Sequence, residues 1–155
     1  MNSKRMLCGI LLVLGIIILP FSQKCYAQTK VKQGIAGEVI WKEGNHMPGI
    51  GTSPGITKKV SREIVVYPII NQKDVQQADA PFFSKIKAKK VATLKSGKNG
   101  KYYIRLPKGR YSVFVLEKGK LYANQYDGEG NINPVEIEKN KLTTLDLILD
   151  YKAAY

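Results

Sequence analysis

From about residue 34 onward, apolar and polar positions alternate with the period of two that a half-buried strand requires, and no long stretch sustains the 3.6-residue period of a helix. Residues 34–41 are short, apolar and β-branched, which predicts a first strand reaching Trp41. Residues 42–59 hold Gly44, Pro48, Gly49, Gly51, Pro54 and Gly55 and are expected to carry no regular element. Glu63-Ile64-Val65-Val66-Tyr67 predicts a second strand, which Pro68 either ends or confines to an edge, because proline has no N–H to give to a ladder. Residues 71–90 place Asp74, Gln76, Gln77, Asp79 and Lys85 among few apolar side chains, with Phe82-Phe83 following Pro81. They are expected to form an inserted loop with one helical turn. A structureless excursion of that length is uncommon in compact domains and marks function or flexibility.

The best-patterned part follows. Residues 91–94 lead into Asn99-Gly100, the strongest short hairpin signal, in which both central residues take positive φ. In residues 101–106, Tyr102, Ile104 and Leu106 share one face and Lys101, Tyr103 and Arg105 the other. In residues 110–117, Tyr111, Val113 and Val115 oppose Arg110, Ser112 and Phe114. Strands are also expected at 121–126, 135–138 and 142–151, with a polar loop at 127–134. Seven or eight strands with frequent turn signals predict an all-β fold: a single antiparallel, Greek-key-like β-sandwich of about seven strands.

The N-terminus changes the picture. Lys4 and Arg5 precede an apolar block over residues 6–21, which Pro20 interrupts near its end, and a polar run ending at Ala27. That order predicts a signal peptide over residues 1–27 that forms a helix, touches the membrane only during export and is cleaved after Ala27. A short linker is then expected at 28–33, the sandwich at 34–151 with the insertion at 71–90, and a tail at 152–155. Cys8 and Cys25 leave with the signal, so the mature chain has no disulfide, thiolate or cysteine ligand. Lys4, Arg5 and Lys24 leave as well, with no acid, which takes the formal charge from +13 to +10. The remaining bases are scattered over turns and form no stripe, so nucleic acid is not an expected partner.

The run Thr93-Leu94-Lys95-Ser96-Gly97-Lys98-Asn99-Gly100-Lys101-Tyr102-Tyr103-Ile104-Arg105-Leu106-Pro107-Lys108-Gly109-Arg110-Tyr111-Ser112-Val113 is a polar turn ending in Gly, then an aromatic, Leu-Pro and Gly-x-Tyr-x-Val. It resembles the signature of carboxypeptidase regulatory-like domains, and Gly37-x-Val39 and Met47-Pro48-Gly49 agree with it. The resemblance covers most of residues 34–150 and implies a transthyretin-like (prealbumin-like) sandwich common in exported bacterial proteins. It implies no peptidase activity, because that family's peptidase residues belong to a neighbouring domain.

Candidate chemistry is sparse. A catalytic zinc needs about three protein ligands, and the chain has one histidine, His46. A serine or cysteine nucleophile with a histidine base fares no better, since no mature cysteine remains and no serine sits in a recognisable elbow. Asp127, Glu129 and Asn131 alternate as at the start of a calcium loop. The distal acid would have to be Glu138, beyond Pro134, so a plain ordered turn is expected there, with no cofactor and no metal. Candidates for a binding loop are His46, Met47, Tyr122, Asn124, Tyr126, Asp127 and Asn131, and candidates for an exposed aromatic face are Tyr103 and Phe114. The expected function is a non-catalytic, periplasmic or secreted binding module for an envelope or extracellular protein or a glycan. The alternatives are a structural envelope protein acting through a strand edge or exposed apolar face, and a carboxylate-based hydrolase.

Overall fold

A computed structural model describes residues 33–49 and 54–155, and the expected signal peptide with its helix and cleavage point lies outside the described residues. The described chain is all-β, folded into two sheets that form a β-sandwich. Twelve strands are present among the described residues, more than the sequence pattern counts, because several are short pieces of three to five residues.

The first sheet is organised around β1 (Gly34–Asn45). The N-terminal half of β1 pairs antiparallel with β7 (Lys101–Arg105) and parallel with β11 (Leu142–Thr144). Its C-terminal half pairs antiparallel with β2 (Ile56–Lys59) and parallel with β12 (Leu147–Ala154). The strand β2 falls inside the segment expected to be irregular; all four of its side chains are exposed, so it carries no apolar pattern. The strand β12 runs through the expected tail, pairing Lys152, Ala153 and Ala154 with Glu43, Gly44 and Asn45.

The second sheet runs β4 (Val75–Asp79), β5 (Phe82–Ile86), β9 (Lys120–Tyr122), β8 (Gly109–Glu117), β3 (Glu63–Pro68) and β6 (Ala92–Lys95). The strand β10 (Pro134–Ile137) pairs with the start of β8. Pro68 ends β3, which lies centrally between β8 and β6. The segment 71–90 is not a structureless loop: after a 3₁₀ turn at Gln72–Asp74, β4 and β5 form a hairpin that joins the sheet through Phe82↔Tyr122 and Phe83↔Leu121.

Asn99-Gly100 does not close a hairpin. The strand β6 belongs to the second sheet and β7 to the first, and only Gly100 of the pair has positive φ, 76°. Its carbonyl accepts from the Val39 N–H at 3.0 Å, so the turn hands the chain across the sandwich. The tight hairpin lies instead at Lys118-Gly119, with φ of 52° and 79°, between Glu117 and Lys120. Such a two-residue loop with both φ positive matches the twist of its strands.

Alternation along the strands separates two cores. Ile35, Val39, Ile64, Val66, Ile104, Val113, Val115, Ile137 and Leu149 fill the space between the sheets. Val65, Tyr67, Ile70, Phe83, Phe114, Leu121, Ala123 and Ile132 form a second core on the outer face of the second sheet. Its cover includes the segment after β9: Ile132 N–H donates to the Ile70 carbonyl at 2.9 Å and Asn133 N–H to the Gln125 carbonyl at 2.7 Å. The strand β8 is thus buried on both sides, and Ser112, fully enclosed, satisfies its hydroxyl by accepting from the Ile70 N–H at 3.0 Å.

Candidate functional site

The expected exposed face does not exist as drawn. Phe114 is completely buried, with Tyr67 and Phe83 in edge contact at 5.8 Å each. Tyr103 is 41% exposed but stands on β7 in the other sheet, with its hydroxyl 3.3 Å from the Gln33 carbonyl. Parity along β8 correctly sets Phe114 opposite Val113 and Val115; that opposite side is a second core rather than solvent.

The loop candidates divide in the same way. Tyr122 is buried on β9, and its hydroxyl donates to Asp150 Oδ1 at 2.7 Å while Asn124 Nδ2 donates to the same oxygen at 2.8 Å. Burial drives the phenols of Tyr122 and Tyr102 far above the ordinary range, so both are neutral hydrogen-bonding groups of the core. Tyr126 is 42% exposed and bridges to Ile132 in the covering loop. His46 and Met47 follow β1; the His46 ring lies 5.9 Å from that of Tyr155, and Met47 is exposed.

Asp127, Glu129 and Asn131 are brought together, as a self-satisfied turn. Asp127 Oδ1 accepts from the N–H groups of Glu129 at 3.0 Å and Asn131 at 2.8 Å, and Oδ2 accepts from Asn131 Nδ2 at 2.8 Å. Arg110 sits 3.2 Å from Asp127 and 3.5 Å from Glu129, so a cation of the chain already faces both carboxylates. Hydrogen bonds from the Asn131 side chain, then from the backbone, together with Arg110, hold the Asp127 carboxyl below its ordinary range. Asp127→Ala is therefore expected to lower the melting temperature at neutral pH. A lowered folded-state pKa gives stability that is full above the unfolded aspartate value and is lost as pH falls through the folded one. The gap between variant and wild type should close on acidification toward pH 2, as thermal melts at stepped pH will show.

Of the concave features among the described residues, one is lined by His46 and Met47 and one by Arg105 and Pro107, and two are framed by the β4–β5 hairpin, which the sequence pattern leaves as a loop. At its tip, the turns Asp79–Phe82 and Glu117–Lys120 lie side by side, with Lys120 Nζ 3.8 Å from Asp79. Tyr151 comes across from β12, and the cleft between them, about 290 Å³, is lined by Asp79, Phe82, Glu117, Lys118, Lys120 and Tyr151. Four rings form a continuous stack of edge and tilted contacts: Phe82–Tyr151 at 5.0 Å, Phe82–Tyr122 at 5.4 Å, Tyr122–Tyr151 at 5.5 Å and Tyr151–Trp41 at 5.1 Å. Such spacings lie within the favourable range for aromatic pairs. Lys118 Nζ lies 5.8 Å from the centre of the Tyr151 ring, and Arg62 and Lys152 stand 5.8 and 5.7 Å from the Trp41 ring.

Glu117, nearly buried, accepts from Arg62 Nε at 2.6 Å. Trp41 Nε1 is enclosed with no hydrogen-bond partner among the described residues, and the Tyr151 hydroxyl is enclosed beside Glu117. Burial first, and the Glu117 charge second, raise the Tyr151 phenol above its ordinary value, which keeps it a neutral donor at physiological pH. At the hairpin base, a larger groove of about 840 Å³ opens between Ile69, Val75, Ile86 and the lysines at 73, 85 and 87.

Among the described residues no group of three or more His, Cys, Asp or Glu stands close enough to hold a metal ion, and no helix is long and apolar enough to cross a membrane. The fold and its concave surfaces define a β-sandwich carrying an added hairpin. No family model, curated protein or solved structure matches the chain.

Proposed function

We propose that this chain is an exported, non-catalytic binding module of the periplasm or the extracellular space, and that it takes a glycan in the cleft at the hairpin tip. The observation that carries this reading is the chemistry of the cleft: the rings of Phe82 and Tyr151 beside Asp79, Lys118 and Lys120. Sugar rings present flat C–H faces to aromatic side chains and a girdle of hydroxyls to charged donors and acceptors. A pocket with apolar walls and a few convergent polar groups fits that pattern.

The non-catalytic reading is supported by how the cleft's acids are engaged. Glu117 is held by Arg62 and Asp79 faces Lys120, so each carboxylate has a cation beside it. The single histidine rests against Tyr155. The alternative, a structural envelope protein acting through a strand edge or an exposed apolar face, has less support at that face, where Phe114 is buried and Tyr103 is exposed.

The chain's one tryptophan reports on this site, because Trp41 touches Tyr151 edge-on. Titration of the protein with cellohexaose, maltohexaose and the hexamer of N-acetylglucosamine should shift Trp41 emission saturably with at least one of them. Asp79→Ala with Lys118→Ala, both at the rim, should raise that Kd at least tenfold while leaving the melting temperature unchanged. Absence of a saturable change with all three sugars, or binding indifferent to the double variant, would refute the glycan assignment.

A further inference from the structure

We infer that the groove at the base of the β4–β5 hairpin is a second binding site, independent of the cleft, for a single-chain anionic amphiphile: a carboxylate or phosphate carried on an apolar chain. The groove holds about 840 Å³ and is lined by Ile69, Ile70, Val75 and Ile86 together with Lys73, Lys85 and Lys87. That volume falls within the ~300–1,000 Å³ typical of small-molecule sites.

Its two chemistries have separate origins. The strands β4 and β5 keep the pairs Val75↔Ile86 and Gln76↔Lys85 at the hairpin base and shift register only toward the tip, between Gln76 and Asp79, so Val75 and Ile86 stand side by side where the groove lies. Val75, Ile86 and Ala88 pack against the second core, so the groove floor is a continuation of that core toward solvent. The rim is electrostatically one-sided. Lys73, Lys85 and Lys87 are exposed, and their ammonium groups have no carboxylate within ion-pair distance among the described residues; Asp74 is the single acid lining the groove. Lys89 and Lys90 follow directly, adding positive potential at the same end.

Apolar floor and cationic rim together select the ligand. A neutral amphiphile gains the floor without the rim, and a small inorganic anion gains the rim without the floor. The apolar contacts depend on buried area and the lysine contribution is screened by salt, so affinity should fall as ionic strength rises.

The test is calorimetric titration of the full chain with dodecanoate, dodecyl maltoside and inorganic phosphate, each amphiphile kept below its micelle concentration. Dodecanoate should bind with one site per chain. Dodecyl maltoside and phosphate should each bind at least tenfold more weakly. The triple variant Lys73→Gln, Lys85→Gln, Lys87→Gln changes exposed side chains only; it should keep the wild-type melting temperature and raise the dodecanoate Kd at least tenfold. The same variant leaves every cleft residue in place, so its sugar response should be unchanged. The proposal is overturned if dodecanoate produces no saturable heat, if dodecyl maltoside or phosphate matches it, or if the triple variant binds dodecanoate as the wild type does.

Discussion

Phe114→Ala should lower the free energy of unfolding by about 3–5 kcal/mol, the range for truncating a fully enclosed phenylalanine. The site cannot easily collapse around the loss. Phe114 is wholly buried on the outer face of the second sheet, with the Tyr67 ring on one side and the Phe83 ring on another, both close to perpendicular to it. Removing the ring takes away its own transfer free energy and leaves both partners facing a void. The measurement is urea unfolding followed by circular dichroism, where the midpoint should fall with little change in slope. A loss under about 0.5 kcal/mol is what an exposed surface position gives, and it would contradict the second core.

The second large effect is at Gly37. A side-chain carbon added there would stand 1.9 Å from the Leu145 carbonyl oxygen and 2.6 Å from its carbon, and both are backbone atoms. At this point β1 exchanges one parallel partner for the next, from Ala36↔Thr144 to Val39↔Leu147, and the chain between them passes directly over Gly37. The crossing is tied down by Leu145 N–H donating to the Ala36 carbonyl at 2.9 Å and Glu38 N–H to Asp146 Oδ1 at 2.9 Å. The Tyr102 hydroxyl donates to the same Leu145 carbonyl. Gly37→Val must push apart backbone held from three directions, and it should cost on the order of 3 kcal/mol. Thermal and urea unfolding of the variant provide the check; wild-type stability would show that the crossing is not this close.

What the sequence discloses and what it hides follow from the same period of two. Alternation assigns Tyr102, Ile104 and Leu106 to one face and Val113 and Val115 to one face, and all five are buried. It cannot say which sheet a strand joins. Asn99-Gly100 has the chemistry of a hairpin, yet Gly100 is drawn to Val39 and the chain crosses to the other sheet. Nor does alternation reveal a strand whose side chains all meet water, which is why β2 is silent.

Phe82-Phe83 is the most instructive case. Two adjacent aromatics in a polar segment point to opposite faces of a strand: Phe82 packs against the core between the sheets and Phe83 lies in the second core. That dipeptide is the one signal in 71–90 that the insertion is a structural part of the sandwich. The aromatic cleft remains hidden in the sequence, because Phe82 and Tyr151 are far apart along the chain and meet only through β9 and β12. Asp127 and Asn131 show the converse: a ligand-like spacing whose oxygens and amides satisfy one another.

The account rests on the β4–β5 hairpin being welded to the sandwich, since both concave sites exist only if it is. The direct test is a double-mutant cycle between Phe83 on the hairpin and Phe114 on β8, using Phe83→Ala, Phe114→Ala and the pair. Rings 5.8 Å apart at 76° should couple by about 0.5–1.5 kcal/mol beyond additivity. Strict additivity of the two losses would mean that the hairpin does not rest on the second core, and would contradict the fold on which both sites are built.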